Sequence, residues 1–234
     1  MILADNIYVA GAHQPLLPTT SFHVRPGELM LVQANTPLSS TTAGLVLAGR
    51  MKPTRGVVTL TQVQEDEDFP NHSAKAVLKY LRHHSALIDS PQITEPERFF
   101  KVGDFVAQEL ALLPAGAERP SRKQWLADNG FADQGDVWVE QLNLTDRLEL
   151  VTRLALADPT VRALIYDAPD RHGHVEEWLP ALEDLHARAQ MTTVMLVSAI
   201  PSSWTGPQAV IGAGGEEDDA AEESIDDAEQ NEVL

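Results

Sequence analysis

An α/β fold built on a parallel sheet is the class this sequence predicts, and three observations predict it. Leu29 to Val32 is a short apolar run followed by a polar stretch and then by the Ala/Leu/Val-rich segment Thr41 to Arg50, the order strand, loop, helix. Val161 to Tyr166 is a second apolar run, ending at the acid Asp167. Thr192 to Val197 is a third, and the helical segment Val175 to Ala189 lies between the last two. Continuous apolar runs of this length suit strands covered on both faces, as in a parallel sheet flanked by helices.

Composition sets the limits. The chain has 234 residues, 43% of them apolar, enough for a sizeable core in a single α/β domain. It has no cysteine, which excludes a disulfide framework, a thiolate zinc site and a thiol nucleophile, and is compatible with a reducing cytoplasm. The start, MILADNIYVAG, lacks the basic residues and long apolar core of a signal peptide, and no run of about 18 apolar residues occurs. A soluble protein, without direct membrane insertion and peripheral only through a partner, is expected. The formal net charge is −18, and ten of the acids fall in residues 216–234, which hold no Lys or Arg, leaving −8 for the rest. Such a balance argues against nucleic acid, where affinity comes from Lys and Arg on phosphates, and favours partners with basic surfaces.

Taken in order, residues 1–27 alternate short apolar stretches with turn residues and predict an antiparallel β-subdomain leading into the strand at Leu29. The loop after that strand reads Ala34-Asn35-Thr36-Pro37-Leu38-Ser39-Ser40-Thr41-Thr42. A phosphate loop reads G-x-x-x-x-G-K-[ST]; its glycines let backbone N–H groups point inward and its lysine reaches the outer phosphates. Here the glycines are Ala34 and Ser39, the lysine is Ser40, and Pro37 removes an N–H donor outright. Losing the lysine removes a charge-assisted bond of about 1.5 to 3 kcal/mol. Hydroxyls at Ser40, Thr41 and Thr42 remain at the start of the helix, where an anion is still favoured. Ser39 or Ser40 as a plain helix N-cap explains the same residues without a ligand.

Further along come an acidic stretch at Glu65–Asp68 and helices over Ala74 to His83, Val102 to Leu113, Ser121 to Asn129 and Arg147 to Ala157. His83-His84 reads as a solvated pair, since adjacent helical residues diverge. The aromatics Phe99, Phe100, Trp125 and Trp138 read as core, with a docking surface as the alternative. The stretch from Glu216 is rich in charge and poor in apolar residues, so residues 213–234 are expected to form a disordered acidic tail.

Several of these segments together resemble an ATP-binding cassette (ABC) ATPase domain whose motifs have decayed. Arg25-Pro26-Gly27-Glu28 and Leu47-Ala48-Gly49-Arg50-Met51-Lys52-Pro53, with Gly56, match the flanks of the family's phosphate loop. Leu142-Asn143-Leu144-Thr145-Asp146-Arg147 stands at its signature, and Asp167-Ala168-Pro169-Asp170 at the end of its Walker B strand. The resemblance implies an ABC-type P-loop NTPase-like core over residues 1–212, with an antiparallel β-subdomain and a helical subdomain at about 94–158. It implies a degenerate nucleotide site at Ala34, Asn35, Thr36, Ser39, Ser40, Thr41 and Thr42, Mg²⁺ ligands at Thr41 and Asp167, and Gln92 as a third candidate. Ala10 stands where the family stacks an aromatic on adenine, with Tyr8 read as an ordinary strand residue. Ala168 replaces the water-polarising glutamate, Ala199 the γ-phosphate-sensing histidine, and the signature has lost both glycines.

From this follow three expected functions. The first is a cytoplasmic subunit at the inner face of the membrane, bound to a multi-spanning permease-like protein or an ABC subunit, with hydrolysis lost or severely weakened and ATP with Mg²⁺ bound weakly or not at all. The GRMKP and LTDR runs are similar to cassettes paired with phage-infection-protein-like membrane proteins. The others are a weakly active ABC ATPase and a nucleotide-independent regulatory or scaffold module on the same fold.

Overall fold

The structure, a computed structural model, describes residues 1–61 and 73–213. The acidic stretch at Glu65–Asp68 and the tail beyond Ala213 therefore lie outside the described residues. Two sheets form around α1 (Pro37–Leu47). The smaller is antiparallel, in the order β2 (Leu17–Val24), β1 (Ile2–Val9), β4 (Arg55–Leu60). The larger is parallel throughout, in the order β5 (Ser85–Ile88), β6 (Ala163–Asp167), β7 (Thr192–Val197), β3 (Leu29–Gln33), β8 (Gln208–Val210). All five residues of β6 are buried, as a strand covered on both faces requires.

One core lies between the sheets and holds α1 with Ile7, Leu17, Val46, Leu47, Ile165 and Leu196. Because α1 is covered by both sheets it has almost no polar face; Ser39, Ser40 and Thr42 are buried along with Ala43 and Val46. Gly44 is the point of closest approach, since a Cβ there would meet Leu87 at 3.0 Å and Leu196 at 3.2 Å. The second core lies on the opposite face of the parallel sheet, under α3 (Val102–Leu112), α4 (Arg122–Asp128), α5 (Leu144–Leu156) and α6 (Val175–Ala189). Between β5 and β6 the chain leaves the sheet and forms α3, α4 and α5 before it returns. The Tyr166 hydroxyl ties α5 to β6: Thr152 donates its own proton to the Leu148 carbonyl, so Tyr166 donates to Thr152 at 2.8 Å. Helix α2 (Ala74–His84) packs against β4 and β5.

Some details differ from the sequence reading. Helix α1 begins a full turn earlier than Thr41, and α5 begins at Leu144, before Arg147. Of the histidine pair His83 is exposed, as expected, but His84 is half-buried: it donates from Nδ1 to the Thr160 carbonyl at 2.8 Å and packs on Tyr80 at 4.1 Å between ring centroids. Of the four aromatics, Trp125 is core at 4% exposure, but Phe99 is 76% and Trp138 40% exposed.

Candidate nucleotide site

Where an open loop was expected, the chain is already helical. Thr36 is the N-cap of α1: its Oγ1 accepts from the Ser39 amide at 3.1 Å, and the Ser39 hydroxyl accepts from the Thr36 amide at 3.3 Å. This reciprocal pair is a capping box, and Pro37 takes the first helical position, where its fixed φ suits a helix and its missing N–H leaves no bond unmade. The N-cap is thus neither Ser39 nor Ser40. The local sequence Thr36-Pro37-Leu38-Ser39 is itself a helix start, and that signal overrides the motif alignment. No residue from 34 to 41 has a positive φ, so the alternating backbone that turns successive N–H groups toward one anion is not formed. Ala34 is buried and donates to the Val197 carbonyl at 2.8 Å, while Asn35 and Thr36 are exposed.

Ser40 and Thr41 do meet Asp167. The Ser40 hydroxyl donates to Oδ1 at 2.6 Å and the Thr41 hydroxyl to Oδ2 at 2.7 Å. A third hydroxyl, that of Ser90, donates to Oδ2 at 2.6 Å. Asp167 is 1% exposed, and its bonds from Ser40 and Ser90 are buried while that from Thr41 is half-buried. Gln92 is not part of this group; it sits exposed in a left-handed turn at φ 60°, and Ser90 is the residue from that segment that reaches the acid. Ile88 pairs with Tyr166, which sets the residues following β5 beside Asp167. Thr42 is buried within α1.

The opposite wall begins at Ala168, held in the left-handed region at φ 52° and ψ 56°. Asp170 accepts two bonds at its Oδ2, from the Ser198 amide at 2.8 Å and its hydroxyl at 2.5 Å. Between this wall and the start of α1 lies a cavity of about 170 Å³, lined by Ala34, Pro37, Ser40, Ala168, Asp170 and Ser198 among others. Arg171 also borders it, but its guanidinium donates to the carbonyls of Asp167, Ala168 and Asp89 and pairs with Glu95. At the adenine position Ala10 is exposed, and the guanidinium of Arg55 lies over the Tyr8 ring, 4.2 Å from its centroid. Asn143, at the signature position, caps α5 by accepting from the Asp146 amide at 2.8 Å.

Without a ligand, the carboxylate that would face a metal accepts from three hydroxyls, and the segment that would wrap the phosphates begins a capped helix. Among the described residues no other cluster of His, Asp or Glu could hold a metal ion, and no helix is long and apolar enough to cross a membrane.

No family model matches the chain, and no curated protein does. Solved structures do. A dimeric ATP-binding cassette in a post-hydrolysis state, bound to ADP and phosphate, aligns with 93% of this chain and 97% of its own at a TM-score of 0.61 and 17% identity. CbiO1 of Clostridium perfringens, part of the ABC transporter complex CbiONQ, aligns over 85% of this chain and 78% of its own at 0.58 and 15%. A nucleotide-free cassette from an ABC transporter covers 85% of this chain and 81% of its own, at 0.57 and 14%. The sheet order, the helices inserted between β5 and β6, and these three likenesses together give the chain the fold of an ATP-binding cassette.

Proposed function

We propose that the chain is a cassette-type subunit of a membrane transport or export complex that works without hydrolysing ATP. The observation that carries this reading is the state of Asp167, whose two oxygens are occupied by the hydroxyls of Ser40, Thr41 and Ser90. In the same site Ser40 stands in the lysine's place and Ala168 in that of the acid that would polarise water. Residues 1–212 act as one cassette-like unit, with about 94–158 as its docking part. A groove of about 270 Å³ between β5, α3 and α5, lined by the charged Arg50, Arg82, Glu109 and Asp158 as well as by Leu87 and Phe105, supports docking there. Phe99 and Leu112, 76% and 72% exposed, lie on the same helical part. The partner is a multi-spanning permease-like protein, the phage-infection-protein-like type being the one the GRMKP and LTDR runs favour, and it holds the chain at the inner face of the membrane. CbiO1, part of an ABC transporter complex, is a precedent in fold for such an assembly.

The test is phosphate release by the purified chain with MgATP, beside a Ser40→Lys, Ala168→Glu double variant. Wild-type turnover at background is the expected result. Turnover on the ~1 s⁻¹ scale of working enzymes would overturn the reading.

A further inference from the structure

Asp89 is a buried carboxylate that faces two guanidinium groups and a histidine. It follows β5 in a left-handed conformation at φ 53°, and 2% of its side chain is exposed. Arg147, in the first turn of α5, donates to both of its oxygens, at 2.7 and 3.2 Å. His172 Nε2 lies 2.7 Å from Oδ2, and Arg171 3.2 Å from the same oxygen. Arg171 and His172 belong to the helical turn Pro169–His172 that follows β6. Arg171 is anchored in turn by the backbone carbonyls of Asp89, Asp167 and Ala168 and by Glu95. The first turn of α5 carries one further acid, Asp146, which is engaged with Asn143 and Gln134.

We propose that Asp89, Arg147, Arg171 and His172 form an ionic lock that holds the helical part of the chain in one position against the parallel sheet, with no nucleotide needed. The three segments it joins stand at the positions of the family's glutamine loop, signature and Walker B end. The joint falls where the chain leaves the sheet after β5 and where α5 brings it back. Moving α5 away from β5 would take from a buried carboxylate the one guanidinium that meets both of its oxygens, leaving it Arg171 and His172 on the sheet side, and removing one partner of a buried pair is strongly unfavourable. The intermediate arrangements are therefore closed off, and the groove between β5, α3 and α5 keeps one shape. The lock rests on geometry within the isolated chain and stands or falls independently of hydrolysis and of any partner.

The chain has no cysteine, so two can be introduced for spin labels, by Lys79→Cys on α2 and Lys123→Cys on α4. Electron–electron distance measurement should give one narrow distribution that MgATP does not change. Asp89→Asn, made in that background, should add a second population of about a tenth or more while circular dichroism stays native. Arg147→Lys, which keeps the charge but loses the two-point geometry, gives the same readout if Asp89→Asn does not fold. Two populations in the unmodified lock, a shift on adding MgATP, or an unchanged narrow distribution in the folded variants would each overturn the proposal.

Discussion

Asp167 works in this chain as an acceptor for three hydroxyls, two buried and one half-buried. Removing it by Asp167→Ala leaves Ser40, Thr41 and Ser90 without that acceptor, and bonds to a charged group contribute about 1.5 to 3 kcal/mol each. The expected loss in urea unfolding is about 3 kcal/mol or more, since the three bonds are not additive. A loss under about 1 kcal/mol would mean the hydroxyls find other partners. The neighbouring Ala168 carries a Cβ in the left-handed region, where glycine has no steric penalty. Ala168→Gly should therefore stabilise the fold, by about 1 kcal/mol before the entropy of the unfolded glycine is subtracted. A lowered melting temperature would show that the turn is not strained.

At the scale of elements, α1 decides the fate of the phosphate loop. Because Thr36 and Ser39 cap a helix that begins at Pro37, restoring the lysine alone does not reopen the loop. Ser40→Lys should show no MgATP-induced rise in melting temperature. Adding Pro37→Gly and Ser39→Gly, which removes both the cap and the fixed φ, is the variant expected to gain one, since a ligand at 100 times its Kd adds about 2.7 kcal/mol. The end of β5 sets a different dependence. Burial pushes the Asp89 carboxyl up, but hydrogen bonds from His172 and Arg147, with the charges of Arg147 and Arg171, outweigh it and leave the acid below its ordinary value. The folded form thus holds the ionised acid more tightly than the unfolded chain does. That stability is complete above the ordinary carboxylate value and is lost as pH falls through the depressed one. Acid unfolding below about pH 4 should be steeper in the wild type than in Asp89→Asn.

For the whole molecule the matter is assembly. Composite cassette sites take a phosphate loop from one chain and a signature from the other, and here α1 closes the first while Asn143 caps a helix at the second. On the proposed function, nucleotide would have little to clamp. Association with the proposed membrane partner should rest on constitutive contacts through the helical part, and co-purification should be the same with MgATP and after its removal. Association that appears only with MgATP would refute this, as would an unchanged association in a Phe99→Ser, Leu112→Ser variant.

The amino-acid sequence by itself determined the layers of this protein. The apolar runs of β3, β6 and β7 and the segments of α3 and α6 are local signals, and each of these five elements lies within a few residues of its expected place. The Thr36-Pro37-Leu38-Ser39 cap is just as local, but it was hidden by reading the same residues against a phosphate-loop motif. Tertiary structure alone decided the site's chemistry. The bonds of Asp167 to Ser40, Thr41 and Ser90 span 127, 126 and 77 positions in the chain, and that of Asp89 to Arg147 spans 58. Whether Ser90 or Gln92 reaches Asp167 depends on the register of β5 against β6 and on a left-handed turn, which no local pattern encodes. Periodicity reports which face of a segment is buried; which hydroxyl meets which carboxylate is settled only when the strands that carry them are laid side by side.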